Sequence, residues 1–182
     1  MDHSLLSEIR FETPRLLVRR LGMEDADCMF AMRSDFETCM EDGGYQPLKA
    51  MDEEFWRDMR FMAQEPDRFA VVRLDTNETI GTIHLMDPIP ERAVSALEIG
   101  YCMHPNMRRQ GYASEAVAAM VHHLHDCLNV RMITASAFDF NLKSQHMLEK
   151  LGFEREGITR CAMCHPQHGI IDMVNYTHIK AE

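Results

Sequence analysis

RRQGYASEA, residues 108–116, is the stretch on which the fold turns. Two adjacent arginines and Gln110 lead through a lone Gly111 into Tyr112, Ala113, Ser114 and a run with helical spacing. Upstream, VSALEIGYCM (94–103) reads as a strand that His104-Pro105-Asn106 ends. A strand, a tight turn and a helix start, in that order, build an anion cradle. The turn aims backbone N–H groups inward, and the helix N-terminus adds about half a positive charge. Gly111 permits a positive φ or close backbone approach. Ala113 keeps the first turn thin, while Arg108 and Arg109 stand ready for charge-assisted contacts. The cradle suits a pyrophosphate, bound chiefly by N–H groups between Arg108 and Ser114.

Outward from this loop the chain alternates between two periodicities. From Ala113, apolar residues recur at 116, 117, 120, 121, 124 and 128, which predicts a long helix facing a core. RMITASAF (131–138) reads as the next strand, and 141–151 as a short helix with Leu142, Leu148 and Leu151 apolar and Gly152 as its stop. FEREGITRCAM (153–163) and IIDMVNYTHI (170–179) close the chain as two strands around a turn. Before the loop, RFETPRLLVRRL (10–21) reads as a strand and GMEDADCMFAMRSD (22–35) as a helix with acids near its N-terminus. EDGGYQPLKA reads as a loop, and 52–63 as a helix with Phe55, Met59 and Met62 on one face. RFAVVRL and ETIGTIHLM flank the turn DTN as a hairpin. The order predicts a single α/β domain over 1–182, with a mixed central sheet of about seven strands and flanking helices.

Composition narrows the function classes. At 182 residues the chain is long enough to bury a substantial core, and 46% hydrophobic with 26% charged residues is ordinary for a soluble domain. A net charge of -10 argues against nucleic-acid binding, which needs a basic face. The longest apolar run, 116–121, is far too short for a bilayer, so no membrane role is expected. The opening MDHSLLSEIRF lacks the basic-then-apolar pattern of an export signal, and six cysteines then read as reduced thiols in the cytoplasm. The acidity is uneven. Between Glu24 and Glu65 stand twelve acids and four bases, so this stretch holds -8 of the net charge.

The chain resembles the GNAT superfamily of acetyl-CoA-dependent N-acetyltransferases. Arg108-Arg109-Gln110-Gly111-Tyr112-Ala113 is similar to that family's Q/R-x-x-G-x-G/A pyrophosphate loop, LEIGYCMHP to its preceding strand, and NLKSQHMLEKLGF to its second signature. FETPRLLVRRL and IDMVNY resemble the branch that acetylates the N-termini of ribosomal proteins. The likeness runs over roughly residues 10–179, with four signatures in the expected order.

This resemblance implies a sheet that splays after its fourth strand, with the pantetheine arm of acetyl-CoA in the gap. Backbone groups of Tyr101, Cys102 and Met103 would bond that arm, and one N–H would polarise the thioester oxygen, a contribution of about 3 kcal/mol in the transition state. Asn141 would touch the cofactor, and Ser144 would stand near the sulfur and help protonate the leaving thiolate. From the residues alone, Asn141 reads equally well as an N-cap with Ser144 in the first turn. The attacking amine must be neutral. Deprotonation at pH 7 costs about 4–5 kcal/mol for a lysine and about 1 kcal/mol for an α-amine. Glu98, on the strand entering the gap, is the preferred base, directly or through water. His84 on the neighbouring strand is the runner-up. The strand after the GF signature, ITRCAMC, offers no glutamate.

CAMCHPQH (161–168) matches a haem-attachment pattern and offers Cys161, Cys164, His165 and His168 as zinc ligands. Covalent haem requires export, and by the resemblance this stretch is a hairpin tip beside the acceptor, so neither metal nor haem is expected. The expected partners are acetyl-CoA and an amine, cationic beyond its reacting nitrogen if the acidic stretch walls the acceptor side. The chain would act as a monomer or homodimer. A non-catalytic module that binds acyl-CoA and senses it is the alternative.

Overall fold

The computed structural model describes residues 3–89 and 91–181, and of His3 and Ser4 the backbone alone. The expected span 1–182 and the reading of the first residues thus reach slightly beyond the described part. One sheet of eight strands runs through the molecule: β1 (Phe11–Glu12), β2 (Leu16–Arg20), β3 (Arg68–Arg73), β4 (Thr79–Met86), β5 (Ala96–Met103), β6 (Met132–Phe138), β7 (Glu154–His165) and β8 (Gly169–Ile179). Their order is β1-β2-β3-β4-β5-β6-β8-β7. Among the described residues only β5 and β6 run parallel; the other pairs are antiparallel. The helices are α1 (Ala26–Ser34), α2 (Phe36–Asp42), α3 (Glu53–Gln64), α4 (Tyr112–Asp126) and α5 (Leu142–Lys150).

The fold is the mixed sheet with flanking helices that the alternation predicts, with one strand more. The extra strand arises at Thr13-Pro14. The Thr13 hydroxyl accepts the Leu16 N–H at 2.9 Å, so the expected strand over 10–21 is broken into β1 and β2 by a side-chain-capped turn. A second difference is α2, seven residues that alternation and periodicity leave unmarked. Asp35 starts it by accepting the Thr38 N–H at 2.8 Å, and Gly43, at φ 158°, ends it.

Two cores sandwich the sheet. On one face α4 buries Ala116, Val117, Met120, Val121 and Leu124 against Leu16, Val18, Phe69, Leu97 and Ile99, as its spacing predicts. On the other face α1 and α3 bury Met29, Met32, Phe55 and Met59 against Leu17, Ala70 and Val72. A fully buried aliphatic side chain contributes about 1.5–3 kcal/mol in such a core. Of the leucines expected inside α5, Leu148 is fully buried, whereas Leu142 is exposed. No helix of the described residues is long and apolar enough to cross a membrane.

Candidate active site

The site begins where two strands part. β5 pairs with β6 through Ala96–Met132, Leu97–Ile133 and Glu98–Thr134, and there the parallel ladder stops. Beyond it β6 stays with β8 to Phe138, while β5 stays with β4 to Met103. The β6-facing edge of β5 from Ile99 to Met103 is left without a strand neighbour, in a cleft of about 1180 Å³. An extended chain bearing amides can bond such an edge as an added strand would.

Strand alternation sorts the side chains at this fork. Ile99 and Met103 join the α4 core with Tyr101 packed against it, while Cys102 packs against the core of α1 and α3. Glu98 shares the phase of Gly100 and Cys102, so it faces α1–α3, opposite Tyr101. Ser136, on the diverging part of β6, donates its hydroxyl to Glu98 Oε1 at 3.0 Å. On the other face Tyr101 and Ser144 share a hydrogen bond of 2.7 Å. Burial pushes the Tyr101 phenol up to about 12, with the Ser144 bond acting against it. The opening of the sheet thus has a carboxylate on one side and a pair of hydroxyls on the other.

The loop after β5 has the geometry of an anion cradle. Arg109 (φ 61°) and Gly111 (φ 80°) are both left-handed, and Gly111 caps α4, whose first N–H groups have no partner inside the helix. A Cβ on Gly111 would meet only Arg15 Nη2, at 3.5 Å, so glycine is set here by backbone conformation and by open space on the cleft side. The two arginines divide. Arg109 is exposed and forms no ion pair with any described residue, which leaves it for a ligand phosphate. Arg108 is engaged by α2, 3.4 Å from Glu37, 3.7 Å from Asp35 and bonded to the Thr38 hydroxyl, while still lining the cleft. Donors of this kind, an unpaired strand edge and a helix N-terminus with a free arginine, fit a pantetheine diphosphate.

Arg15 enters this site without a sequence signal. Its Nε lies 2.6 Å from Glu115 Oε2, its Nη1 donates to the Gln110 carbonyl at 3.1 Å, and its guanidinium stacks 4.5 Å above the Tyr112 ring. It braces the cradle from the start of β2. Only the order of the loop signature makes Gln110 and Glu115 legible; nothing in the sequence pairs them with a residue some 100 positions earlier.

The other candidates resolve as follows. Asn141 caps α5, accepting the Ser144 N–H at 3.1 Å, and also lines the cleft. His84 lies across Gly100, its Nε2 within 2.2 Å of where a Cβ would stand. Burial, with Arg68 nearby, depresses it to about 4, which keeps the ring neutral at pH 7. Cys102 is held as a thiol by burial and by Asp42. Asp42, which the sequence offers only as part of an acidic stretch, stands at the C-terminus of α2 on the cleft wall. It is solvent-accessible yet enclosed by protein on most sides, and that desolvation raises it to about 6, with Arg33 offsetting part of the effect.

The CAMCHPQH stretch forms the β7–β8 tip. His165 is buried, shares a 2.9 Å hydrogen bond between Nε2 and the Met40 carbonyl, and accepts the Gln167 and His168 N–H groups at Nδ1. With both nitrogens engaged, His165 fastens the tip to α2, and Cys161 and Cys164 remain exposed free thiols. No cluster of three metal-ligating side chains occurs among the described residues.

The comparisons agree with this geometry. Residues 15–154 match the model of the acetyltransferase (GNAT) domain. The chain is 32% identical over 155 residues to the uncharacterized N-acetyltransferase YoaA of Bacillus subtilis, covering 82% of this chain and 85% of that protein. Its fold is similar to that of a ribosomal-protein-S5-alanine acetyltransferase from Vibrio fischeri (TM-score 0.75, 20% identity, 96% and 98% of the two chains). A spermidine N-acetyltransferase from Vibrio cholerae, solved with CoA and spermine, is as close (TM-score 0.75, 18% identity, 92% and 97%). A forked sheet, a glycine-capped helix beside it and a family match across both make this chain a member of the GNAT family, an acetyl-CoA-dependent N-acetyltransferase.

Proposed function

We propose that the chain moves the acetyl group of acetyl-CoA directly onto a primary amine that is cationic beyond its reacting nitrogen, as in a basic N-terminal segment or a polyamine. The observation that carries this reading is the placement of Glu98 at the last paired position of the fork, facing α1–α3, with Ser136 holding one carboxylate oxygen. A carboxylate there can take a proton, directly or through water, from an amine entering between α2 and β5. The unpaired edge of Tyr101–Met103 offers backbone bonds for the pantetheine arm. Acetyl-CoA, when bound, supplies the activated acyl group; Gly111–Ser114 and Arg109 hold its diphosphate, Asn141 lines its path, and Ser144 meets the leaving sulfur. An acyl-cysteine at Cys102 has no part in this reading, because the thiol is kept protonated by burial.

Asp42 supports the cationic acceptor. Glu37 and Glu41 line the same wall, but Lys143 neutralises both, at 3.1 and 3.0 Å, and Arg108 lies beside them. Among the described residues Asp42 forms no ion pair, although Arg33 lies near enough to offset part of its desolvation, so of the three its carboxylate is the freest to receive an ammonium. Two solved structures of this fold are named for a polyamine and for the alanine of a ribosomal protein, and the polyamine carries the extra charge that Asp42 would receive. A cytoplasmic location belongs to the same reading. A screen of CoA release with spermidine, aminoglycosides, amino acids and peptides bearing free N-termini tests it. Turnover confined to basic amines supports the proposal, and a preference for neutral or acidic acceptors contradicts it.

A further inference from the structure

We propose that Tyr101 is a positioning residue for Ser144: its phenol donates to the serine oxygen and thereby commits the serine O–H to the sulfur that leaves. The inference rests on the direct-transfer reading above but is tested without an acceptor. Tyr101 reaches the gap from β5 and Ser144 from α5, and their oxygens are 2.7 Å apart. The direction of this bond follows from acidity. A phenol is a far stronger acid than an alkyl alcohol, so the phenol donates and the serine oxygen, the better acceptor, receives. The ring packs against the α4 core, and Ser144 is the only hydrogen-bond partner of its hydroxyl among the described residues. The serine proton cannot point back along the same bond. It points into the cleft that both residues line.

The chemistry uses this arrangement without moving the phenol's proton. As the amine nitrogen bonds to the acyl carbon, the carbon–sulfur bond breaks and its electron pair goes to sulfur. Ser144 meets the growing negative charge with its O–H, and the Tyr101 O–H compensates the charge drawn from the serine oxygen. The proton lost by the amine passes to Glu98 and solvent, and one proton returns from solvent to the thiolate. Tyr101 stays neutral throughout, as its buried position requires.

Calorimetric titration of CoA and of desulfo-CoA, which lacks the thiol, tests the inference between pH 6.5 and 9.5. In the unmodified enzyme CoA should gain affinity relative to desulfo-CoA by roughly tenfold as its thiol ionises, the value of one charge-assisted hydrogen bond. Ser144→Ala should abolish the gain. Tyr101→Phe should cut it to about threefold or less, with desulfo-CoA bound as before. A full tenfold gain in Tyr101→Phe overturns the proposal. As a check that spares the packing, 3-fluorotyrosine at position 101, a stronger donor of nearly the same size, should enlarge the gain; an unchanged gain likewise overturns it.

Discussion

Asp25 shows how much a single position can hide. In the sequence it is one of twelve acids in a row of solvated-looking residues; in the fold it is 1% exposed. Arg19 grips both its carboxylate oxygens at 2.8 Å, Gly22 N–H donates at 2.8 Å, and the Thr79 hydroxyl adds a fourth bond. Removing one partner of such a pair strands the other. Asp25→Ala should therefore cost about 3 kcal/mol in urea unfolding, while the exposed Glu53→Ala should cost under about 0.5 kcal/mol. Charge counting could not distinguish these two residues, because burial depends on Arg19 folding back from β2 and on Thr79 arriving from β4, 54 positions along the chain. Gly111 is the opposite case. Its loop signature admits a left-handed glycine or a close backbone approach, and φ 80° is what the fold shows. Gly111→Val should weaken acetyl-CoA at least tenfold by calorimetry, about 1.4 kcal/mol, and an unchanged affinity in a folded variant would remove the loop from the binding site.

Among the elements, α4 and the strands were legible because they repeat: 3.6-residue spacing in one and alternation in the others. The short α2 was not. FETCMED is too brief for a period, and its start signal, Asp35, is visible only once Thr38 is known to bond it. Yet α2 walls one side of the cleft. It presents Asp42 to the cleft, is fastened from below by His165, and has its outer acids tied up by Arg108 and Lys143. The wall is therefore less negative than the composition implies, and its free charge is concentrated at one residue. Asp42→Asn should raise the KM of a cationic acceptor several-fold and remove most of its salt dependence, leaving acetyl-CoA affinity unchanged. Glu41→Gln, which only loosens an ion pair with Lys143, should do much less. Equal effects from the two variants would mean that the whole face, rather than Asp42, attracts the amine.

Across the whole molecule the sheet separates two kinds of charge. Under the proposed function the anion cradle lies at the α4 end of the fork and the acceptor wall at the α2 side, so a polyanion and a cation would reach one gap from different directions. The same burial that shapes the gap gives a pH signature. His84 is depressed to about 4, below its unfolded value near 6.5, so the unfolded chain takes up that proton first as pH falls. Stability from this residue is complete above pH 6.5 and is lost toward pH 4, by up to about 3 kcal/mol. Asp42 works in the opposite sense, its raised carboxyl regaining stability below about pH 6, with solvent access limiting the size. Urea unfolding of His84→Gln beside the unmodified protein isolates the first effect: the variant's stability should fall less between pH 7.5 and 4.5. The sequence could propose His84 as a base because histidine titrates near neutrality, but only the fold places Gly100 under its ring. Under the proposed function the Glu98 carboxylate takes the proton of the attacking amine. The direct measurement is the pH–rate profile of Glu98→Gln from pH 6 to 9, by CoA release with the best amine from the screen, alongside acetyl-CoA affinity. A kcat lowered at least tenfold across that range, with acetyl-CoA binding intact, is the expected result. An unaltered kcat across that range would contradict it.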